Sequence, residues 1–285
     1  MNLNKSIIGL FLFASCLTVG AQEKFDLKLG LKSKVTQTEE SSKSNVISIN
    51  AMGQEMKMIS IEQSNRMISY KPLADGNIEV TSSIMSMKMT QDASSMGQGV
   101  MIISSEDQEN DNNKMLKALV KHPIKYVITP TGDIVKAPDV TEYYKAVKKV
   151  LGSSLSAKIF VEKMVSLDAQ FYPTTQIAVG ESWTPSESKN CEIVCDGKTY
   201  TKKTEANLTY TLKEAAQDKF VVLVNKKIKE DLQGVPLMGT ASEEIVVNRS
   251  TGLIESVTSK EEAKGNAQGA SFVLTGGGSS LYKTK

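Results

Sequence analysis

The sequence predicts an α+β protein, an antiparallel β-sheet with two or three helices packed on one face. Three observations lead there. Residues 54–90 read as two long strands joined at Leu73-Ala74-Asp75-Gly76. Residues 206–282 hold a second set of strand-like segments. Between the two sets, at about 111–170, apolar residues recur at helical spacing. Strands alternate with period two and helices repeat at i, i+3 and i+4, so the two patterns are separable.

In chain order, the first segment is a leader. Lys5 is followed by an apolar run from Ile7 to Val19, and Val19-Gly20-Ala21 offers small residues before Gln22. That is the pattern of a secretory signal peptide cleaved after Ala21. A membrane anchor needs about 20 apolar residues. A competing reading acylates Cys16, but Phe13 stands where a lipoprotein signal usually has Leu, and Leu17-Thr18-Val19 continues the apolar run. The expected organisation is therefore a signal peptide at 1–21 and a single β-rich domain at 22–285. Two strand-rich halves of that domain flank the helices. Export places the protein in the periplasm or outside the cell.

Composition narrows the class. Charged residues are 23%, apolar residues 40%, and the formal net charge is +2. Nucleic acid binding needs a basic field, which this balance does not supply. No segment after the leader is long and apolar enough to cross a membrane as a helix.

Phe25, Leu27, Leu29 and Leu31 alternate with polar residues, a strand with one buried face. Residues 37–44, TQTEESSK, read as a polar break, and Val46–Asn50 as the next strand. The hairpin of 54–90 follows, turning at Asp75-Gly76. Ile78 and Val80 share one phase, whereas Met85, Met87 and Met89 fall on the other. A β-bulge near Ser82-Ser83 explains the slip. Met56 and Met58 supply a matching stripe on the partner strand. Such methionines are either ordinary core residues or an adaptable apolar surface suited to acyl chains. A copper site would want His or Cys beside them, and none is there.

The acidic tract Glu106–Asp111 lacks the spacing of a calcium loop and reads as solvated. Met115, Leu116, Leu119 and Val120 are helically spaced, and His122-Pro123 ends that helix. Thr129-Pro130-Thr131-Gly132-Asp133 is a hairpin turn. A helix starting at Asp139, with a capping box to Glu142, shows Val140, Tyr143, Tyr144, Val147, Val150 and Leu151 on one face. Gly152 ends it. A further helix at about 156–168 buries Ile159, Phe160 and Met164. Trp183 anchors the second strand set, whose central strand holds Phe220–Val224. Asn248-Arg249-Ser250-Thr251-Gly252 is a hairpin loop, and Gly276-Gly277-Gly278 a flexible break. Asn207 and Asn248 open glycosylation sequons.

Chemistry is sparse. Cys191 and Cys195 remain after the leader, and in an oxidising compartment their default state is a disulfide. His122 is the only histidine, with no nucleophile motif around any serine. Glu181 has no second carboxylate at a defined spacing. No catalytic residue, metal ligand or cofactor is assigned.

The order of parts resembles a domain-of-unknown-function family of secreted Gram-negative envelope proteins. The resemblance rests on the Met85, Met87, Met89 hairpin, the turn Thr129–Asp133, Val179-Gly180-Glu181-Ser182-Trp183 and Asn248–Leu253. It covers nearly all the chain after residue 21 and implies no established activity. Long strands around a few helices look like the half-barrel of LolA-type periplasmic lipoprotein carriers. That likeness implies a curved antiparallel sheet cupping two or three helices over an apolar cavity, by fold analogy alone. The expected function is non-enzymatic binding of an apolar or lipid-like ligand, with a structural or protein-interaction module of the cell envelope as the alternative. Expected ligand contacts are Met56, Met58, Met85, Met87, Met89, Tyr143 and Phe160. The partners are then such a ligand or an envelope protein.

Overall fold

A computed structural model of the chain describes residues 22–107, 113–152, 155–165, 172–184, 190–203, 208–232, 235–267 and 269–285. The leader with Lys5 and Cys16, most of the acidic tract and the Asn207 sequon lie outside the described residues. Strand makes up 61% of what is described and helix 12%. The fold is therefore mostly β, and the α+β half-barrel with helices on its concave face is not what the chain forms.

The strands are β1 Lys24–Phe25, β2 Val35–Ala51, β3 Gln54–Pro72, β4 Ile78–Asp92, β5 Val100–Ser104, β6 Ile124–Ile128, β7 Ile134–Lys136, β8 Ile177–Ala178 and β9 Ser182–Trp183. They continue with β10 Asn190–Cys195, β11 Lys198–Lys203, β12 Leu208–Ala215, β13 Lys219–Leu232, β14 Val235–Asn248, β15 Ile254–Ala267 and β16 Ala270–Thr284. The helices are α1 Lys114–Leu119, α2 Thr141–Leu151 and α3 Ala157–Met164. Twelve strands form one antiparallel sheet in the order β7-β6-β4-β3-β2-β16-β15-β14-β13-β12-β9, with β5 on the upper part of β4. Neighbours in sequence are mostly neighbours in space, as hairpin connections dictate.

The long hairpin turns where its residues demand. Asn77 N donates to Asp75 Oδ1 at 3.0 Å, and Gly76 takes φ +83°. The bulge is real but sits later than expected. Asn65 pairs with Ser86 and Arg66 with Ile84, so Met85 is the extra residue. The polar stretch 37–44 does not break the chain. It runs inside β2, paired to β3 on one side and β16 on the other. Backbone bonding on both sides holds it there despite weak strand propensity. The triple glycine is likewise inside β16, not a flexible break. A Cβ on Gly277 would lie 2.9 Å from Ser259 O, and one on Gly278 2.8 Å from Ser42 O. Glycine lets these backbones approach.

Two apolar clusters lie on one face of the sheet, at its lower end. Tyr210, Leu212, Phe220, Val222, Ile245 and Val247 form the first, and Ile68, Ile78, Val80, Tyr126 and Ile128 the second. The N-terminal segment joins them: Phe25 and Leu27 enter the first, and Leu29 enters the second. Leu29 N donates to Pro130 O and Gly30 N to Thr251 O, both at 2.9 Å. The alternation of buried residues was legible, although only Lys24–Phe25 is strand. Trp183 stacks on Tyr210 at 5.4 Å, anchoring the second strand set as expected.

The two longer helices do not lie mainly on this sheet, while α1 touches β4 and β5. The apolar faces of α2 and α3 pack on the separate hairpin β10–β11, burying Tyr143, Tyr144, Val147, Phe160 and Val161 with Cys191, Ile193 and Cys195. Val140 N donates to Val194 O, and Val194 N to Pro138 O, fastening the helix start to the hairpin. An amphipathic helix needs an apolar partner, and this hairpin supplies one. The expected capping box is replaced by a shorter turn, in which Thr141 N donates to Asp139 Oδ1 at 2.9 Å. Hydrogen bonding from the Thr141 side chain, and then from its backbone N–H, holds the Asp139 carboxyl below its ordinary range. Gly152 ends α2 with φ +77°.

Candidate functional site

Antiparallel partners point to the same face, so the register gives the composition of each face row by row. On the face that carries the two lower clusters, the top row reads Gly265, Phe272, Ile49, Met56. The next row is Ala263, Leu274, Ile47, Met58. Below it the character changes. One row is Glu261, Gly276, Asn45, Ser60, and the next is Glu243, Ser259, Gly278, Lys43, Glu62, Met89. Then come Ser280, Ser41, Ser64, Met87, and beneath them Tyr282, Glu39, Arg66, Ile84.

This face therefore has an apolar upper patch, a polar belt and an apolar base. Bonds within the belt are specific. Ser41 Oγ and Ser64 Oγ are 2.8 Å apart. Lys43 Nζ lies 3.2 Å from Glu261 Oε1. Arg66 Nε is 3.2 Å from Glu39 Oε2, and Tyr282 Oη donates to Glu39 Oε1 at 3.0 Å. Oε1 of the buried Glu39 is hydrogen-bonded, whereas Oε2 has the Arg66 charge beside it but no hydrogen bond. A hollow of about 280 Å³ opens at the belt, lined by Ser41, Lys43, Glu62, Ser64, Arg66 and Glu243 among others.

Met56, Met58, Met87 and Met89 all lie on this face and are half-buried. Ile47, Ile49 and Phe272 beside them are also half-buried. No α-helix among the described residues packs substantially on β2, β3 or β16, although the 3-10 turn Ser94–Met96 sits against β3 and α1 touches β4. Gln91 Nε2 lies 2.9 Å from Met58 Sδ. Met85, the bulged residue, is more exposed, at 41%. Tyr143 and Phe160 are not brought to the methionines. Their rings meet edge to face at 5.0 Å inside the helical cluster, and Phe160 has no exposed surface. Burial pushes the Tyr143 hydroxyl up to about 12. These two residues fill a core.

The opposite face carries a larger groove, about 740 Å³, lined by Glu40, Ser42, Gln63, Asn65, Lys88 and Thr258 among others. Serine and threonine hydroxyls are frequent in its lining, with Met87, Val257 and Leu281 as its apolar part. His122 is in neither hollow; it stacks on Tyr143 at 5.7 Å. Among the described residues, no group of three His, Cys, Asp or Glu could hold a metal ion. No described helix is long and apolar enough to cross a membrane.

The disulfide is not formed. Cys191 and Cys195 are both buried and not bridged to each other. Both lie on β10, opposite Lys202 and Lys198. Four residues of strand separate Cα atoms by roughly 13 Å, and a disulfide spans at most about 7 Å. The spacing fits a tight loop only if the backbone turns, and here it does not. Burial pushes the Cys195 thiol up to about 11. Both thiols are therefore expected to resist a thiol reagent such as dithionitrobenzoate in the native protein and to react together in urea. Rapid native labelling of either would contradict their placement.

The polar belt escaped the sequence reading. Its signal was present: Met56, Met58, Glu62, Arg66 and Ile68 all fall on even positions of one strand, so charge interrupts an otherwise apolar stripe.

A model of a family of unknown function, DUF6263, matches residues 75–254. No curated protein gives a significant match. Among solved structures, a lipovitellin structure described by its lipid–protein interactions aligns over 87% of this chain at 11% identity, with a TM-score of 0.45. The alignment covers a quarter (25%) of the lipovitellin chain. The COG4313 outer membrane channel from Pseudomonas putida F1 aligns over 90% of this chain and 98% of its own, at 8% identity and a TM-score of 0.27. The translocator domain of autotransporter NalP from Neisseria meningitidis covers 89% of this chain and 90% of its own, at 9% identity and a TM-score of 0.18. Similarities this low define neither a shared fold nor a shared activity.

Proposed function

We propose, for a chain that belongs to the DUF6263 family of unknown function, non-enzymatic binding of an amphipathic, lipid-like ligand in the cell envelope after loss of residues 1–21. One observation carries this reading. Met56, Met58, Met87 and Met89, with Ile47, Ile49 and Phe272, share one sheet face, and no described α-helix packs substantially on β2, β3 or β16. Half-buried methionines make a surface that adapts to chains of different shape. From Met56 to Ser64 that face runs about 26 Å along β3.

The belt beneath it suits a polar head. Serine hydroxyls donate or accept, and Lys43, Arg66, Glu62 and Glu243 offer both signs of charge within the same hollow. An apolar chain on the methionines gains about 0.8 kcal/mol per methylene removed from water. Micromolar affinity then needs about ten methylenes in contact.

Native mass spectrometry after gentle purification, with uptake of a lipophilic dye, tests the reading. The expected result is a bound lipid-like mass, or dye uptake that Met58→Glu reduces by about tenfold, because the new carboxylate would sit in the apolar row. A ligand-free protein that takes up no dye would contradict it.

A further inference from the structure

The upper part of the sheet has an open edge on each side, and the two edges differ in charge. On β13 the described pairing to β12 ends at Lys226, and the strand runs on to Leu232 bonded to β14. That stretch carries Lys227 and Lys229. Lysines on an edge strand discourage further pairing. On the other side β5 pairs with β4 alone among the described strands. Residues 93–105, which contain β5, hold no charged residue in a chain that is 23% charged. Val100, Met101 and Ile102 are consecutive and exposed, at 58%, 53% and 54%. Successive strand residues point to opposite faces, so this edge is apolar and open on both.

The register fixes which backbone groups look outward. Ala93 N donates to Gly99 O at 3.0 Å, and Ser105 N to Met87 O at 2.9 Å. Bonded pairs alternate along an antiparallel ladder, so 99, 101, 103 and 105 bond inward to β4. The N–H and C=O of Val100 and Ile102 therefore point to the open side. At both ends the next donor in step is already used. Gln98 N donates to Ala93 O at 3.2 Å, and Ser104 N to Asn113 Oδ1 at 3.0 Å. What remains is a short strip of donors and acceptors, symmetric about Met101.

We propose that β5 pairs antiparallel with β5 of a second copy of this chain, about a two-fold axis at Met101. In that register Val100 of one copy exchanges both bonds with Ile102 of the other, and every outward group of the two residues is matched. Centring the pair on Val100 or on Ile102 would set an open acceptor against a donor that Gln98 or Ser104 has already given away. Charge selects the same arrangement. Glu106 and Asp107 follow β5. Antiparallel pairing sends them to opposite ends, past the uncharged turn Ser94–Met96 of the other copy, whereas parallel pairing would stack acid on acid. An edge without charge offers a charged peptide no counter-ion, and β5 of the copy is an uncharged apolar strand of matching length. Gln91 pairs with Met101 and Met89 with Ile103, so Met101 and Ile103 lie on the methionine face. The pairing makes that face continuous across both copies, but does not depend on a ligand there. A strip this short buries less than the roughly 1,200 Å² of stable complexes, so the dimer is reversible, with a dissociation constant on the order of 100 µM.

Sedimentation equilibrium of residues 22–285 at rising concentration tests it. The expected result is a monomer–dimer equilibrium that Met101→Lys abolishes, because each new ammonium meets its own copy. Met101 is exposed, so native circular dichroism should survive. Ile102→Pro is a second variant: it removes an outward N–H, so the bonds to β4 remain while the pairing is lost. Met101→Cys locates the contact, since the paired Cα atoms would be about 4.5 Å apart. Under a mild oxidant it should form an inter-chain disulfide about tenfold or more faster than Ala74→Cys, at an exposed turn at the other end of the sheet. A monomer at every concentration would leave the edge to some other partner and overturn the proposal. A dimer untouched by Met101→Lys, or equal cross-linking of the two cysteine variants, would overturn it as well.

Discussion

Replacing Phe160 by alanine is expected to destabilise the protein by about 3–5 kcal/mol, the usual cost of an emptied aromatic site. The side chain is wholly buried against Tyr143 at 5.0 Å and Tyr144 at 5.5 Å. It sits where α2 and α3 meet the hairpin carrying Cys191, Ile193 and Cys195. The helices also meet Ile124 and Ile134 of the large sheet, but Phe160 lies at the centre of the cluster, so the loss falls on the whole of it. Urea unfolding followed by circular dichroism gives the magnitude. Thiol labelling gives the location, because Cys191 and Cys195 should become reactive at lower urea than in the parent. Phe160→Leu should recover most of the loss, since it restores apolar volume. A loss under about 1 kcal/mol would mean the site is open and lined for a ligand. The sequence reading allowed that role, and the filled core does not.

An equally large effect is expected at Gly252. Its φ is +72°, and a Cβ there would lie 2.0 Å from Lys28 O and 2.9 Å from Leu29 Cα. Left-handed backbone alone costs a non-glycine residue about 1–2 kcal/mol. The collision adds to this, because both opposing atoms belong to backbone. Gly252→Ala must push the N-terminal segment off the turn. That loosens Leu27 and Leu29, which join the two lower clusters, and the bond from Gly30 N to Thr251 O. Tyr172 Oη donates to Gly252 O at 2.6 Å, so a second tie moves as well. The expected loss is about 3–5 kcal/mol in a urea titration. Gly97→Ala is the control. It has a similar φ of +76° and open space around it, so only the backbone cost of about 1–2 kcal/mol should appear. Equal losses at the two glycines would show that the N-terminal segment does not press on the turn.

What the sequence disclosed follows from how local each feature is. The turn at Asp75-Gly76, the helix stop at Gly152 and the apolar run Phe220–Val224 depend on neighbouring residues, and each appears where expected. The phase slip before Met85 announced a bulge because two alternations cannot share one unbroken strand. Features that depend on distant partners were hidden. Residues 37–44 look like a loop by themselves, and become strand because β3 and β16 bond them on both sides. The faces of α2 and α3 demanded an apolar partner without saying which. The spacing of Cys191 and Cys195 suits a disulfide in a turn and forbids it in a strand. The methionine stripe was visible, but its union onto one face needs the pairing of Glu62 with Met89 and Ser64 with Met87.

The ligand face can be read directly by NMR of ¹³C-methyl methionine, titrating in a single-chain lysolipid below its micelle concentration. Met56, Met58, Met87 and Met89 should shift together and saturably, with Met52 and Met238 unmoved. Shifts confined to the exposed Met52 and Met238, or none at saturating lysolipid, would contradict a binding site on that face.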